Sequence, residues 1–292
     1  MWEEFIQYET YLYTVKHASK NTVAAYMRDL RKLNNYMEEH QIPSIDMVNH
    51  TNLNSYVLYL ERTGSAASSV SRSVASIKSF FLYMLRQGLI PQDPSELLKP
   101  PHIDKRSPEI LTVEEVQRLL NQPNGNSPKE IRDKAMLELL YATGLRVSEL
   151  IALKVFDVNT DMGYLVCRDG NKERIVPFGK AAKKALERYM EEARPAVCYE
   201  QDTLFTNIQG APLTRQGLWK ILKSYAAKAG IDRDITANMI RHSFATHMVD
   251  NGADLKSVQE LLGHADISTT QIYLKNQKTG IKEVYDRTHP LA

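Results

Sequence analysis

Apolar residues recur at steps of three and four through the first ninety residues, in four blocks. Trp2, Phe5, Ile6 and Leu12 form the first, and Val23, Tyr26, Leu30, Leu33 and Met37 form the second, with Asn21 placed to cap it. Leu53, Tyr56, Val57 and Leu60 form the third, stopped near Gly64; Val70, Val74, Ile77, Phe81 and Met84 form the fourth, stopped at Gly88. That spacing lines up one face of an α-helix, and no strand-like alternation interrupts it. Residues 1–97 are therefore expected to form an all-α domain. Pro91, Pro94, Pro100, Pro101 and Pro108 then crowd a short stretch with Lys99, Lys105 and Arg106, which predicts a linker over 98–109. The remainder, 110–292, opens on a capping box from Thr112 to Glu115, followed by Val116, Leu119 and Leu120. Tyr164–Arg168 and Glu173–Phe178 flank Asp169-Gly170-Asn171-Lys172, which predicts a β-hairpin with Lys172 at its tip. Helical segments are expected around 181–193, 214–229, 239–250, 255–262 and 268–275. The pattern predicts a mainly α protein with a small β-sheet, in two domains.

Composition agrees and excludes several classes. A chain of 292 residues, 43% hydrophobic and 25% charged, is long enough for two cores. It has no apolar run of the roughly 18 residues that a membrane-spanning helix needs. Met1-Trp2-Glu3-Glu4 is acidic and lacks the basic-then-apolar order of a secretory leader. Cys167 and Cys198 are too few for a disulfide framework, so a cytoplasmic setting is expected. A net charge of +2 permits nucleic-acid binding without arguing for it, because a binding footprint needs local clustering.

The chain has no Gly-rich phosphate loop, no His-Glu-x-x-His, no Cys-x-x-Cys and no evident carboxylate triad for two metal ions. What stands out is a set of cations and one tyrosine. In Thr143-Gly144-Leu145-Arg146-Val147-Ser148-Glu149-Leu150, Gly144 can end one helix, and Arg146 and Glu149 share a face of the next. Taken alone, that pair reads as a surface ion pair, and Lys172 as a solvated hairpin residue. Asn238, Arg241 and His242 share a helical face in Asn238-Met239-Ile240-Arg241-His242-Ser243-Phe244-Ala245-Thr246-His247. His264 follows a helix-stopping glycine in Leu261-Leu262-Gly263-His264-Ala265-Asp266, and Tyr273 comes nine positions later.

In this order, the three strings resemble the tyrosine site-specific recombinases, most closely the bacterial Xer-type branch and the related phage and transposon integrases. Ser19-Lys20-Asn21-Thr22 through Asp29-Leu30 also looks like the family's N-terminal core-binding domain, so the resemblance covers nearly the whole chain. It implies a two-domain clamp on duplex DNA: an all-α, SAM-like core-binding domain and a mixed α+β catalytic domain. It implies strand cleavage and rejoining through a covalent 3′-phosphotyrosine, with no metal, ATP or other cofactor.

Carried over by motif, Tyr273 is the nucleophile, and Arg146 and Arg241 clamp the phosphate oxygens. Lys172 protonates the leaving 5′-oxygen, His264 donates to a phosphate oxygen, and Glu149 orients its neighbours. Asn238 stands where the family usually has His, and Asn cannot take up a proton at any useful pH. The alternatives are a type IB-like topoisomerase or a catalytically weakened DNA-binding member. Lys20, Arg28, Arg31, Ser71, Arg72 and Lys78 are candidate DNA contacts. The expected partners are duplex DNA with paired recognition arms and further recombinase subunits in a tetrameric synapse, with or without a second recombinase. The tail bearing Ile281, Val284, Tyr285 and Leu291 is expected to reach a neighbouring subunit.

Overall fold

The computed structural model describes residues 2–42, 44–102, 108–169, 172–197 and 202–263. Each N-terminal apolar block forms a helix: α1 (Trp2–Thr14), α2 (Lys20–Glu39), α3 (His50–Arg62) and α4 (Ala67–Arg86). The apolar stripes meet in one core that includes Phe5, Tyr8, Leu12, Leu30, Met37, Leu53, Tyr56, Ile77 and Phe80. Each large side chain so buried contributes about 1.5–3 kcal/mol. Phe5 and Phe81 both meet Phe80 edge-on, at 5.0 and 5.4 Å between ring centres. Ile6 departs from its expected stripe and is 65% exposed, whereas Tyr8 takes the inward position and donates to Ser79 Oγ at 2.7 Å.

The cap of α2 is Ser19 rather than Asn21: the Ser19 hydroxyl accepts the Thr22 N–H at 3.2 Å, so the helix begins one residue before Asn21. A serine oxygen reaches the third helical N–H when its own backbone is extended, as it is here.

The first unit, Met1–Lys105, extends beyond the expected boundary at 97. Leu98 is 1% exposed within the first core. The Lys78 ammonium donates to the carbonyls of Glu96 at 3.0 Å and Leu98 at 3.2 Å, which pins this segment to α4. The prolines prevent a helix here but do not release the chain.

The second unit, Arg106–Ala292, begins with α5 (Val113–Leu120), held by the expected reciprocal bonds between Thr112 and Glu115. Its centre is α6 (Pro128–Thr143), started by Ser127 and ended by Gly144 at φ +60°. A Cβ at Gly144 would lie 2.5 Å from the Phe244 ring, so both the left-handed turn and the close approach require glycine. The short α7 (Val147–Ala152) follows.

A three-stranded antiparallel sheet comes next, in the order β1 (Val158–Asn159), β2 (Tyr164–Asp169), β3 (Lys172–Pro177). β1 was not expected; two residues are too short for a period to show. The register pairs Asp169 with Lys172, so Lys172 is the first residue of β3 rather than part of the tip. Helices α8 (Lys180–Arg188) and α9 (Arg194–Val197) are joined by a π-helical turn, Tyr189–Ala193. Then come α10 (Arg215–Lys228), α11 (Ala237–Asp250) and α12 (Leu255–Leu262). The helix expected at 268–275 lies outside the described residues. Among the described residues, no helix is long and apolar enough to cross a membrane.

Candidate active site

Side chains from three elements converge around one carboxylate. Gly144 turns the chain out of α6, and Arg146 takes the extended position just before α7. Glu149, one turn into α7, accepts the Arg146 backbone N–H at 2.7 Å and its guanidinium Nη1 at 2.9 Å. From β3, Arg174 adds a fork: Nη1 to Glu149 Oε1 at 2.8 Å and Nη2 to Oε2 at 2.9 Å. From α11, Arg241 Nη1 lies 4.0 Å from Glu149 Oε2. Glu149 thus has three arginines gathered around it.

Burial pushes the Glu149 carboxyl up. Hydrogen bonds from Arg174 and the Arg146 backbone, together with both guanidinium charges, outweigh that effect and hold it below the usual carboxylate range.

The end of α12 completes the cluster. Its last carbonyls point at the arginines one by one: Leu261 O accepts from Arg174 Nε at 3.0 Å, Leu262 O from Arg241 Nη2 at 2.7 Å, and Gly263 O from Arg146 Nη2 at 2.9 Å. Arg241 also donates to Gly144 O at 2.6 Å. Carbonyls at the end of a helix carry the negative end of its dipole, which favours cations there. Gly263, at φ +64°, brings the backbone so close that a Cβ would lie 2.8 Å from the Arg174 guanidinium.

The arginines differ in access. The Arg241 side chain is 6% exposed and that of Arg146 is 35% exposed. Arg146 and Asn238 line a groove of about 390 Å³, floored by Leu218, Trp219 and Leu222, with Arg215 on its wall. Asn238 is exposed in the first turn of α11, one turn before Arg241, where helix N–H groups face outward. His242 is half-buried; burial and then the Arg241 charge push its imidazole below its ordinary value, so it is neutral near pH 7. Among the described residues, no cluster of three His, Cys, Asp or Glu is arranged to hold a metal ion.

Of the sequence-read positions, Arg146, Glu149, Asn238 and Arg241 therefore come together. Lys172 opens β3 two residues before Arg174, and His264 and Tyr273 lie outside the described residues. Lys20, Arg28 and Arg31 are exposed along α2. Ser71 is half-buried in the first turns of α4. Arg72 is occupied by Asp29 through Nε at 2.8 Å and Nη2 at 3.0 Å, and the Lys78 ammonium by the two carbonyls described above.

The residue that sequence reading missed is Arg174. The signal was available: on β3 it is in phase with Val176, which is fully buried, while Glu173 and Ile175, on the opposite phase, are exposed. A charge on the inward phase of a strand needs a buried partner.

Residues 5–88 match the N-terminal SAM-like domain of phage integrases, and residues 109–279 match the phage integrase family. The tyrosine recombinase XerD of Halalkalibacterium halodurans is 47% identical over 278 residues, 94% of this chain and 93% of that protein. The XerD of Listeria innocua is 44% identical over 287 residues, 97% of each. Among solved structures, the XerH site-specific recombinase bound to a palindromic difH substrate has a TM-score of 0.78 at 23% identity, covering 97% of this chain and 84% of that one. A lambda integrase dimer bound to a core site has a TM-score of 0.76 at 16% identity, covering 96% of each. With its helical first unit, its mixed second unit and its arginine cluster, the chain belongs to the phage integrase family and is a tyrosine recombinase.

Proposed function

We infer that the protein is a site-specific DNA recombinase that cuts and rejoins strands by transesterification, and that the arginine cluster around Glu149 is its phosphate-binding centre. The observation that carries this reading is the three-to-one convergence on Glu149. Arg146, the most exposed of the three, opens onto a groove where its guanidinium can meet an anion. A scissile phosphodiester is such an anion, and it gains further negative charge in its pentavalent transition state. Arg146 and Arg241 would donate to the non-bridging oxygens, since planar guanidinium forks match phosphate geometry and stay charged.

The chemistry balances without a separate energy source. The Tyr273 phenol oxygen bonds to phosphorus as the bond to the 5′-oxygen breaks. The phenol proton goes to a base, and the departing 5′-oxygen takes a proton, for which Lys172 is the assigned donor. A 5′-hydroxyl from a partner strand then reverses the step and releases the tyrosine. His264 is assigned a donor role to the phosphate. Asn238 donates a hydrogen bond but cannot act as the base, which makes His242, on the same helix, the first imidazole to test. Duplex DNA is the proposed partner, with Lys20, Arg28 and Arg31 as backbone contacts and four subunits in the synaptic form.

The test is a nicked suicide substrate that traps the covalent adduct, followed by a two-site assay. Adduct in the wild type, none in Tyr273→Phe with site binding retained, and recombinant junctions only when two sites are present are the expected results. Relaxation of single-site plasmid without junctions would instead assign a topoisomerase. Adduct persisting in Tyr273→Phe would move the nucleophile elsewhere.

A further inference from the structure

We propose that Arg174 is a positioning residue for strand cleavage: it ties Glu149 and the end of α12 to β3, and so aims Arg146 at the phosphate. The proposal rests on reading the site as a phosphodiester-cleaving centre.

Arg174 spends its fork inward. Its two terminal nitrogens close on both oxygens of Glu149, and its Nε closes on Leu261 O. Its side chain is 15% exposed, against 35% for Arg146, and it is absent from the wall of the groove that Arg146 and Asn238 line. It is therefore built to act through its neighbours.

The consequence for Arg146 is geometric. Glu149 Oε1 accepts from Arg146 Nη1 and Arg174 Nη1 together, so each guanidinium fixes where the carboxylate can hold the other. Arg146 Nη2 is tied in turn to Gly263 O, one residue past α12, while Arg174 holds Leu261 O at the end of that helix. Arg174 is the one member of this ring carried by the sheet, and Lys172 opens the same strand two residues upstream. Removing it frees lone pairs on Glu149 toward which Arg146 can swing, and unties the sheet from α12. Lysine cannot replace it, because an ammonium cannot span two carboxylate oxygens and a carbonyl in one plane.

The electrostatic consequence follows from the same contacts. Among the described residues, the charged and titratable groups facing Glu149 are Arg146 from the start of α7, Arg174 from β3, Arg241 from α11, and the buried Cys167 thiol from β2, which burial pushes up to about 11 and keeps neutral. Arg174 supplies the largest of the interactions that hold the Glu149 carboxyl down. A carboxyl held low in the folded state contributes stability above its unfolded value and loses it as pH falls through the folded one. Without Arg174, that loss begins at a higher pH.

Arg174→Gln and Arg174→Lys are to be compared with the wild type in three measurements on the full chain. These are gel-shift affinity, single-turnover adduct formation across about pH 5 to 9, and the thermal midpoint over the same range, which spans the carboxylate and imidazole titrations. Arg174→Gln is expected to keep affinity within about threefold while slowing adduct formation about 100-fold, the effect of misaiming a group by roughly 1 Å. Its rate should also fall on the acid side at a higher pH than in the wild type. Arg174→Lys should recover under a tenth of the lost rate, roughly, because the fork is missing. A wild-type rate and pH profile in Arg174→Gln, full rescue by lysine, or affinity and rate falling together would each overturn the proposal. If the wild type itself forms no adduct, the reading of the site fails. The Arg174–Glu149 coupling is then judged from the thermal midpoints, where coincident acid limbs for wild type and Arg174→Gln would overturn it as well.

Discussion

Asp29 in the first unit and Glu149 in the second are both buried carboxylates that hold arginine, but in different proportions. Asp29, 3% exposed, has one guanidinium closing on it edge to edge, Arg72, and the two charges cancel. Glu149, 9% exposed, gathers three arginines from three separate elements. A one-to-one pair does structural work: it staples α2 to α4 and asks for nothing from outside. On the proposed reading of the site, a cluster with one guanidinium facing a groove also meets the phosphate of a bound strand. The comparison also shows why residue type is a poor guide to DNA contacts. Arg72 and Arg146 look equivalent in the sequence, yet one is consumed by its own fold and the other faces a groove.

The comparison is broken most sharply at Arg241. Arg241→Ala should lower single-turnover adduct formation about a thousandfold, near 4 kcal/mol of barrier. It should also lower the thermal midpoint, because Gly144 O and Leu262 O lose their donor. A variant that cleaves normally would reduce Arg241 to a structural strut like Arg72.

Next in size, Asn238→His should speed adduct formation about a hundredfold if proton removal limits the step, with affinity unchanged. A rate that stays flat or falls means another group already takes the proton. His242→Ala in the wild-type background is then the decisive comparison. The added histidine should bring a rate that rises as pH climbs through the imidazole range, since only the neutral ring accepts a proton.

Arg72→Ala sharpens the other side. It should cost about 2 kcal/mol in urea unfolding, below the 3–5 kcal/mol of a fully buried pair because the Arg72 side chain is 42% exposed. The adduct-forming rate at saturating DNA should not change. A rate that drops with stability intact would place Arg72 among the functional cations after all. The smallest expected effect is that of EDTA: with ionic strength matched, cleavage should be unaltered, because the proposed clamp neutralises phosphate charge with arginine. Loss of adduct under chelation, restored by magnesium alone, would contradict that account.

The four N-terminal helices were legible because each has one buried stripe and one wet face, so the period of the chain is the period of the helix. The central helix α6 gave no such signal. Ile131, Arg132, Asp133, Ala135, Met136, Leu137, Leu139 and Leu140 are buried on every side of it, and a helix surrounded by protein has no amphipathic period to read. Arg146, Glu149 and Arg241 were found through the order of their motifs. Their convergence was not readable, because it depends on Gly144 and Gly263 turning two helix ends toward one another's partners. Arg174 was missed for a related reason: its partner lies 25 residues away in sequence, and only the depth of Val176 on the same strand hinted that the charge points inward.

The brace between Lys78 and the chain at 96–98 decides where this protein can be cut into parts. A fragment ending at residue 97 would lose the Leu98 side chain from its core, a deletion worth about 2–5 kcal/mol, and would leave the Lys78 ammonium without one of its two carbonyl acceptors. A fragment carried through residue 102 keeps both. The proline-rich stretch thus begins as the closing edge of the first unit, and anyone preparing that unit as a separate DNA-binding reagent should trim after the brace and not at the first proline.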